Sequence, residues 1–174
     1  MLAALIGISM GWLGEIFDVR SAFLSGLALQ RKIHVRAPKE GLPGTNTTTP
    51  ILPYQLMQVL KCAYGLTEAP RLWYLRAKQL LESIGFVEML CAKAVFTLRN
   101  AAGKLITILV LHVDDALIFR DRTDPTSRRA RQQLDKKFDI KSWKTLEEKP
   151  VTYLGQTWRQ FEDRIGLRST WTAM

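Results

Sequence analysis

A chain of 174 residues, 47% apolar and 24% charged, is long enough for one domain with its own core and too short for two ordinary ones. That balance excludes a disordered tail, and no apolar run reaches the roughly 18 residues that a membrane span needs. The formal net charge of +9, from 25 Lys and Arg against 16 Asp and Glu, fits solubility alone. It equally favours a polyanionic partner, with nucleic acid first and an anionic membrane surface second. Cys62 and Cys91 are isolated, and His34 and His112 stand at no zinc-ligand spacing. No structural zinc is expected, and a soluble, intracellular, thiol-bearing protein with both cysteines buried is. The apolar first 17 residues lack a basic n-region and are interrupted by Glu15, so they are not expected to act as a secretory signal. The abrupt start at Met1 suggests a fragment of a longer gene product.

In chain order, residues 2–9 predict a short helix ended by Gly11. Residues 13–19 predict a strand leading into a second helical piece that carries Phe23 and Leu24. Strands are expected at 33–36 and 55–61, around one long loop at 37–53 rich in Pro, Gly and Thr. From Thr67 the pattern is helical: Thr67 serves as N-cap and Pro70 falls in the tolerant first turn. Trp73, Ala77, Leu80, Leu81 and Ile84 share one face of that helix, and Gly85 stops it. A strand at 94–99 turns at Ala101–Gly103 into a long apolar strand, 105–113, and a return strand, 116–120. Asp124–Pro125 caps a basic helix reaching about Lys137, with Ala130, Leu134 and Phe138 inward. Strands follow at about 151–158 and 164–168. Interspersed elements around an antiparallel hairpin predict an α+β fold rather than a doubly wound parallel sheet. No Gly-rich phosphate loop is present.

The segment LITILVLHVDDALIF, Leu105–Phe119, is a buried-strand sequence broken by Asp114–Asp115. Adjacent carboxylates in apolar surroundings repel each other and lose hydration, so they rise in pKa or are neutralised by cations. Ordinary turn chemistry is the bland alternative, although the turn at Val113–Asp114 lacks Gly and Asn. Asp18 lies in a similar setting at the end of the apolar strand 13–19. If that strand lies beside the hairpin, the three carboxylates cluster. Oxygen ligands suit Mg²⁺, which commonly shares them with substrate phosphates, and two such ions support phosphoryl transfer. A metal-dependent nucleotidyl transferase follows; spacing alone does not separate a polymerase from a nuclease.

Five elements in order resemble the reverse transcriptase of copia-type retrotransposons, over roughly residues 10–160. DVRSAFLSG at Asp18–Gly26 is similar to the family's D-V-K-x-A-F-L-x-G. IHVRAPKEG at Ile33–Gly41 is similar to I-Y-M-x-x-P-x-G, and LKCAYGLTEAPRLWY at Leu60–Tyr74 to L-x-x-x-L-Y-G-L-K-Q-A-P-R-x-W. HVDD at His112–Asp115 resembles Y-V-D-D, and YLG at Tyr153–Gly155 resembles F-L-G. The resemblance implies a polymerase palm with an antiparallel sheet on helices, lacking fingers and most of a thumb. It further implies RNA-directed DNA polymerase activity within a Pol polyprotein, acting on template-primer and deoxynucleoside triphosphates, with two Mg²⁺ (or Mn²⁺) ions and no membrane. Asp18, Asp114 and Asp115 would be catalytic metal ligands, joined by the Val19 carbonyl. Ala22, Phe23 and Glu68 would line the nucleotide site, the Phe23 ring leaving no room for a 2′-OH. Tyr153 and Gly155 would grip the primer end. Contact of Arg71, and of Arg128, Arg129 and Arg131 on the basic helix, with nucleic-acid phosphates fits the net charge. For these arginines a solvated charged face is the alternative; for Phe23 and Trp73 it is core packing.

Two departures from the family pattern stand out. Glu68 replaces Gln, adding negative charge near the nucleotide, and His112 replaces Tyr beside the acid pair. The isolated chain is expected to be inactive. A non-catalytic nucleic-acid-binding remnant and a metal-dependent phosphodiesterase are the alternatives.

Overall fold

Apolar side chains on both faces of a strand leave it no solvated side, so Leu105–Phe119 needs cover above and below. The computed structural model describes residues 2–44, 49–162 and 164–169. Its elements in order are α1 (Leu2–Ser9), β1 (Leu13–Val19), a 3₁₀ turn (Ala22–Ser25), β2 (Ala28–Arg36), β3 (Leu56–Lys61) and α2 (Ala69–Glu82). There follow β4 (Val87–Glu88), β5 (Val95–Arg99), β6 (Leu105–His112), β7 (Asp115–Arg120) and α3 (Pro125–Lys137). The last are β8 (Ile140–Thr145), β9 (Val151–Tyr153), β10 (Gln156–Gln160) and β11 (Ile165–Ser169). This is a mixed α and β chain with antiparallel sheets, and its described residues fall into two compact units.

The first unit draws on Met1–Ala22 and Ala77–Met174 and is built on a six-stranded sheet in the order β4-β5-β6-β7-β1-β8. Every neighbouring pair in it is antiparallel. One face carries Ile16, Ile108, Leu117 and Phe119, which pack with Ala4 of α1 and with Val151, Tyr153 and Trp158 of the small β9–β11 sheet. Gly7 lets α1 approach closely, since a Cβ there would lie 2.5 Å from the Phe119 ring. The opposite face carries Phe17, Thr107, Leu109 and Ile118, all fully buried. Phe17 meets Phe138 at 6.4 Å between ring centroids, and the Thr107 hydroxyl lies 3.3 Å from that of Ser127 on α3. The Asp124 carboxylate caps α3, accepting from the amides of Thr126 and Ser127 as the sequence suggests.

The second unit, Phe23–Arg76, holds the antiparallel pair β2–β3 and the start of α2. The Thr-rich residues 45–48 of the expected loop lie outside the described residues.

Several expectations are corrected. The helix begins at Ala69, and the Glu68 carbonyl accepts the Leu72 amide at 3.0 Å, so Glu68 rather than Thr67 occupies the cap. The strand expected at 33–36 starts earlier, at Ala28. The single strand at 151–158 is instead the hairpin β9–β10, turning at Leu154 and Gly155 with φ of 48° and 70°. Two successive residues at positive φ are the requirement of a two-residue type I′ hairpin loop. Strands β4 and β8 were not anticipated. Cys62 is buried as expected, but Cys91 is exposed.

Candidate active site

Asp18 ends the apolar run of β1, and Asp115 opens β7. Their strands pair so that Asp18 stands directly opposite Asp115. Opposed residues of an antiparallel pair project to the same side of the sheet, with Cβ atoms roughly 4.5–5.5 Å apart. Two strands remote in sequence therefore bring two carboxylates onto one face. Asp114 follows by one ladder step: its carbonyl accepts the Val19 amide at 2.8 Å. Asp114 thus faces Val19 across the ladder, while Val113 takes φ +52 to close the turn. Positive φ is uncommon for a β-branched residue, so this turn carries strain. The same face holds His112, opposite Asp115, and Ser142, opposite Asp18 on β8. The Lys141 ammonium lies 3.6 Å from the Asp18 carboxylate.

The electrostatics follow from this placement. Partial burial raises the Asp115 carboxyl above the ordinary range, and the negative charges of Asp114 and Asp18 raise it further. Lys144 and His112 act in the opposite sense. Among the described residues, no three or more His, Cys, Asp or Glu side chains form a ready-made metal cage. The oxygen donors nevertheless fit Mg²⁺, which is usually held by one or two carboxylates together with substrate phosphates.

The remaining expected site residues are placed variously. Arg128 and Arg129 are exposed on α3. Arg131 is not: its guanidinium lies 3.2 Å from the Trp143 ring centroid, 3.6 Å from buried Glu15, and against Asp135. It belongs to an internal ionic cluster in which Arg120 also binds Glu15, so it is no free phosphate contact. Tyr153 is likewise buried, at 4% exposure, so its side chain is not available to grip a primer at the surface. Gly155 sits in the β9–β10 turn beside exposed Leu154. Ala22 is buried at the start of the 3₁₀ turn.

In the second unit, Phe23 packs on Tyr64 with ring centroids 4.9 Å apart. Glu68 receives Arg31 through two contacts, 2.6 Å from Nε and 2.8 Å from Nη2. Arg31 holds the Glu68 carboxyl below its usual range and offsets the charge that the Gln-to-Glu departure introduces. Arg71 is exposed and lines a cavity of about 330 Å³ with Arg31, Glu68 and Leu72.

Sequence reasoning missed Lys141, Ser142, Lys144 and Glu15. The first three lie on β8, whose IKSWKT sequence alternates too weakly to announce a strand. A faint signal for Glu15 was its position inside an otherwise apolar strand.

Residues 1–170 match the family model described as reverse transcriptase (RNA-dependent DNA polymerase). The chain belongs to the reverse transcriptase family. Among similar proteins is the retrovirus-related Pol polyprotein from transposon RE1 of Arabidopsis thaliana, 30% identical over 142 residues, or 81% of this chain. That from transposon RE2 of the same plant is 28% identical over 141 residues, again 81% of the chain. The one from transposon TNT 1-94 of Nicotiana tabacum is 30% identical over 127 residues, or 73%. The matched stretch is 9% of each of these polyproteins. The copia-type resemblance of the five ordered motifs is thereby borne out. In this reverse transcriptase domain, no helix among the described residues is long and apolar enough to cross a membrane.

Proposed function

We propose that the first unit is the catalytic palm of an RNA-directed DNA polymerase that works as part of a longer Pol polyprotein. The observation carrying this reading is the pairing of Asp18 with Asp115 across β1 and β7, one ladder step from Asp114. Asp18, Asp114 and Asp115, with the Val19 carbonyl, would hold two Mg²⁺ or Mn²⁺ ions. When bound, the ions would supply activation of a primer 3′-OH and neutralisation of the leaving pyrophosphate. The chain's own contribution is placement. Sheet pairing fixes the strand ends, and the turn at Val113 sets Asp114 and Asp115 at the tip of the β6–β7 hairpin. The Lys141 ammonium balances Asp18 until a cation replaces it. The Phe23 ring would select deoxynucleoside triphosphates, and exposed Arg128 and Arg129 would meet template-primer phosphates, RNA or DNA.

The test is extension of a labelled primer on an RNA template by the Pol polyprotein carrying this stretch. Extension should require a divalent cation and vanish in Asp18→Asn and Asp114→Asn. Salt-sensitive RNA binding without any extension would favour a non-catalytic remnant. Degradation of the duplex without added nucleotides would favour a phosphodiesterase.

A further inference from the structure

Buried hydroxyls are nearly always hydrogen-bonded, so an orphan among apolar neighbours calls for an explanation. Tyr153 is such a case: the residue is 4% exposed, and its hydroxyl has no partner in the structure. The ring is well fixed. It packs edge-on against Trp158 at 6.0 Å, and the Tyr153 carbonyl accepts the Trp158 indole N–H at 3.3 Å. It belongs to the same buried apolar cluster as Ile16 and Leu117. Those two residues are paired with each other, and each is the same-face neighbour of a carboxylate, Ile16 of Asp18 and Leu117 of Asp115. The phenol is thus packed in the cluster that covers the carboxylate face of the sheet, near enough for the Asp115 charge to act on it. Asp115 is also the charged group whose field reaches it; burial and that field both push the phenol up from its usual value. The hydroxyl therefore stays protonated at neutral pH and keeps a proton to donate.

Resting on the polymerase reading above, we infer that Tyr153 is a positioning residue, whose hydroxyl turns to donate to the Asp115 carboxylate when a divalent cation binds and aims that carboxylate at the ion. A purely structural residue at this buried place would do better as phenylalanine, which fills the same space without an orphan donor. Outer-shell donors of this kind fix the orientation of a metal-binding group, and their loss typically costs about 10–100-fold in metal affinity. The role differs from a primer contact, which the burial of the ring denies it.

The experiment compares Tyr153→Phe with the unaltered chain, using Mn²⁺ as the probe. Affinity is read from water-proton relaxation, and stability from thermal unfolding without metal. The inference predicts Mn²⁺ binding weakened by about tenfold, at the lower end of that range, with metal-free stability equal or higher. Unchanged affinity with higher stability would mean an idle phenol and overturn it. Should Tyr153→Phe fail to fold, the ¹³Cζ resonance of Tyr153 in the unaltered chain gives the second reading. It should shift on adding Mg²⁺ and stay still in Asp115→Asn; no shift in the unaltered chain overturns the inference. Mn²⁺ binding that survives Asp18→Asn would instead remove the polymerase reading, and the inference with it. The two failures are therefore distinguishable.

Discussion

Without a bound cation, Asp115 sits opposite Asp18 and beside Asp114, and its carboxyl is raised by burial first and by those neighbours second. A raised folded-state pKa means that stability is fully present below the unfolded value, near 3.9, and is lost as pH rises through the folded value. Asp115→Asn removes that loss. With opposed carboxylates about 5 Å apart, Coulomb's law gives roughly 3 kcal/mol at an effective dielectric of about 20 and under about 1 kcal/mol in water. The site is only partly buried, so screening brings the expectation to about 1 kcal/mol. For a chain of this size that is roughly 2–4 °C in Tm. Thermal unfolding followed by circular dichroism should show Asp115→Asn melting higher at pH 7, with the gain shrinking toward pH 4 and below. Mg²⁺ should raise the unaltered protein more than the variant. A lower Tm for Asp115→Asn at pH 7 without metal, or a gain independent of pH, would refute the repulsion.

Glu15 is buried between Arg120 and Arg131, so Glu15→Gln leaves Arg120 without its carboxylate and takes one of two from Arg131; it should cost about 3 kcal/mol, read by urea unfolding. Val113→Gly relieves the positive φ of the hairpin turn at the cost of some chain entropy. It should stabilise by roughly 0.5–1 kcal/mol in the same assay. Changing exposed Arg128 and Arg129 to Gln should lower the salt dependence of RNA binding by about one unit of slope per lost phosphate contact. Arg131→Gln should instead lower the melting temperature, because its partners are internal.

Features set by local chemistry were readable in advance. The apolar hairpin with its Val113–Asp114 turn, the Asp124–Pro125 cap and the Gly85 stop all follow from residues within a few positions of one another. The meeting of Asp18 with the Asp114–Asp115 hairpin was legible for a different reason: charge in an apolar strand contradicts its setting, and that contradiction marked the candidate site. What escaped depends on contacts distant in the chain. Strand β8 forms because β1 offers it an edge, with Trp143 packing on Phe17 at 4.5 Å, and nothing in IKSWKT by itself demands a strand. Arg131 looked like its neighbours Arg128 and Arg129, and only the register of α3 turns it onto Trp143 and Glu15. Tyr153 was expected at the primer end through its resemblance to F-L-G, and only the β9–β10 hairpin, with Leu154 and Gly155 at its tip, turns its ring into the core. The Gln-to-Glu change at Glu68 read as added charge, since Arg31 lies far off in sequence and meets it only in the fold.

The central claim is that acidic side chains from β1 and from the β6–β7 hairpin jointly hold divalent cations. Calorimetric titration of Mn²⁺ into the metal-free chain tests it most directly, alongside Asp18→Asn and Asp114→Asn. The account predicts saturable binding in the unaltered chain that each substitution weakens strongly while the fold, checked by circular dichroism, persists. Identical isotherms for all three proteins would contradict it.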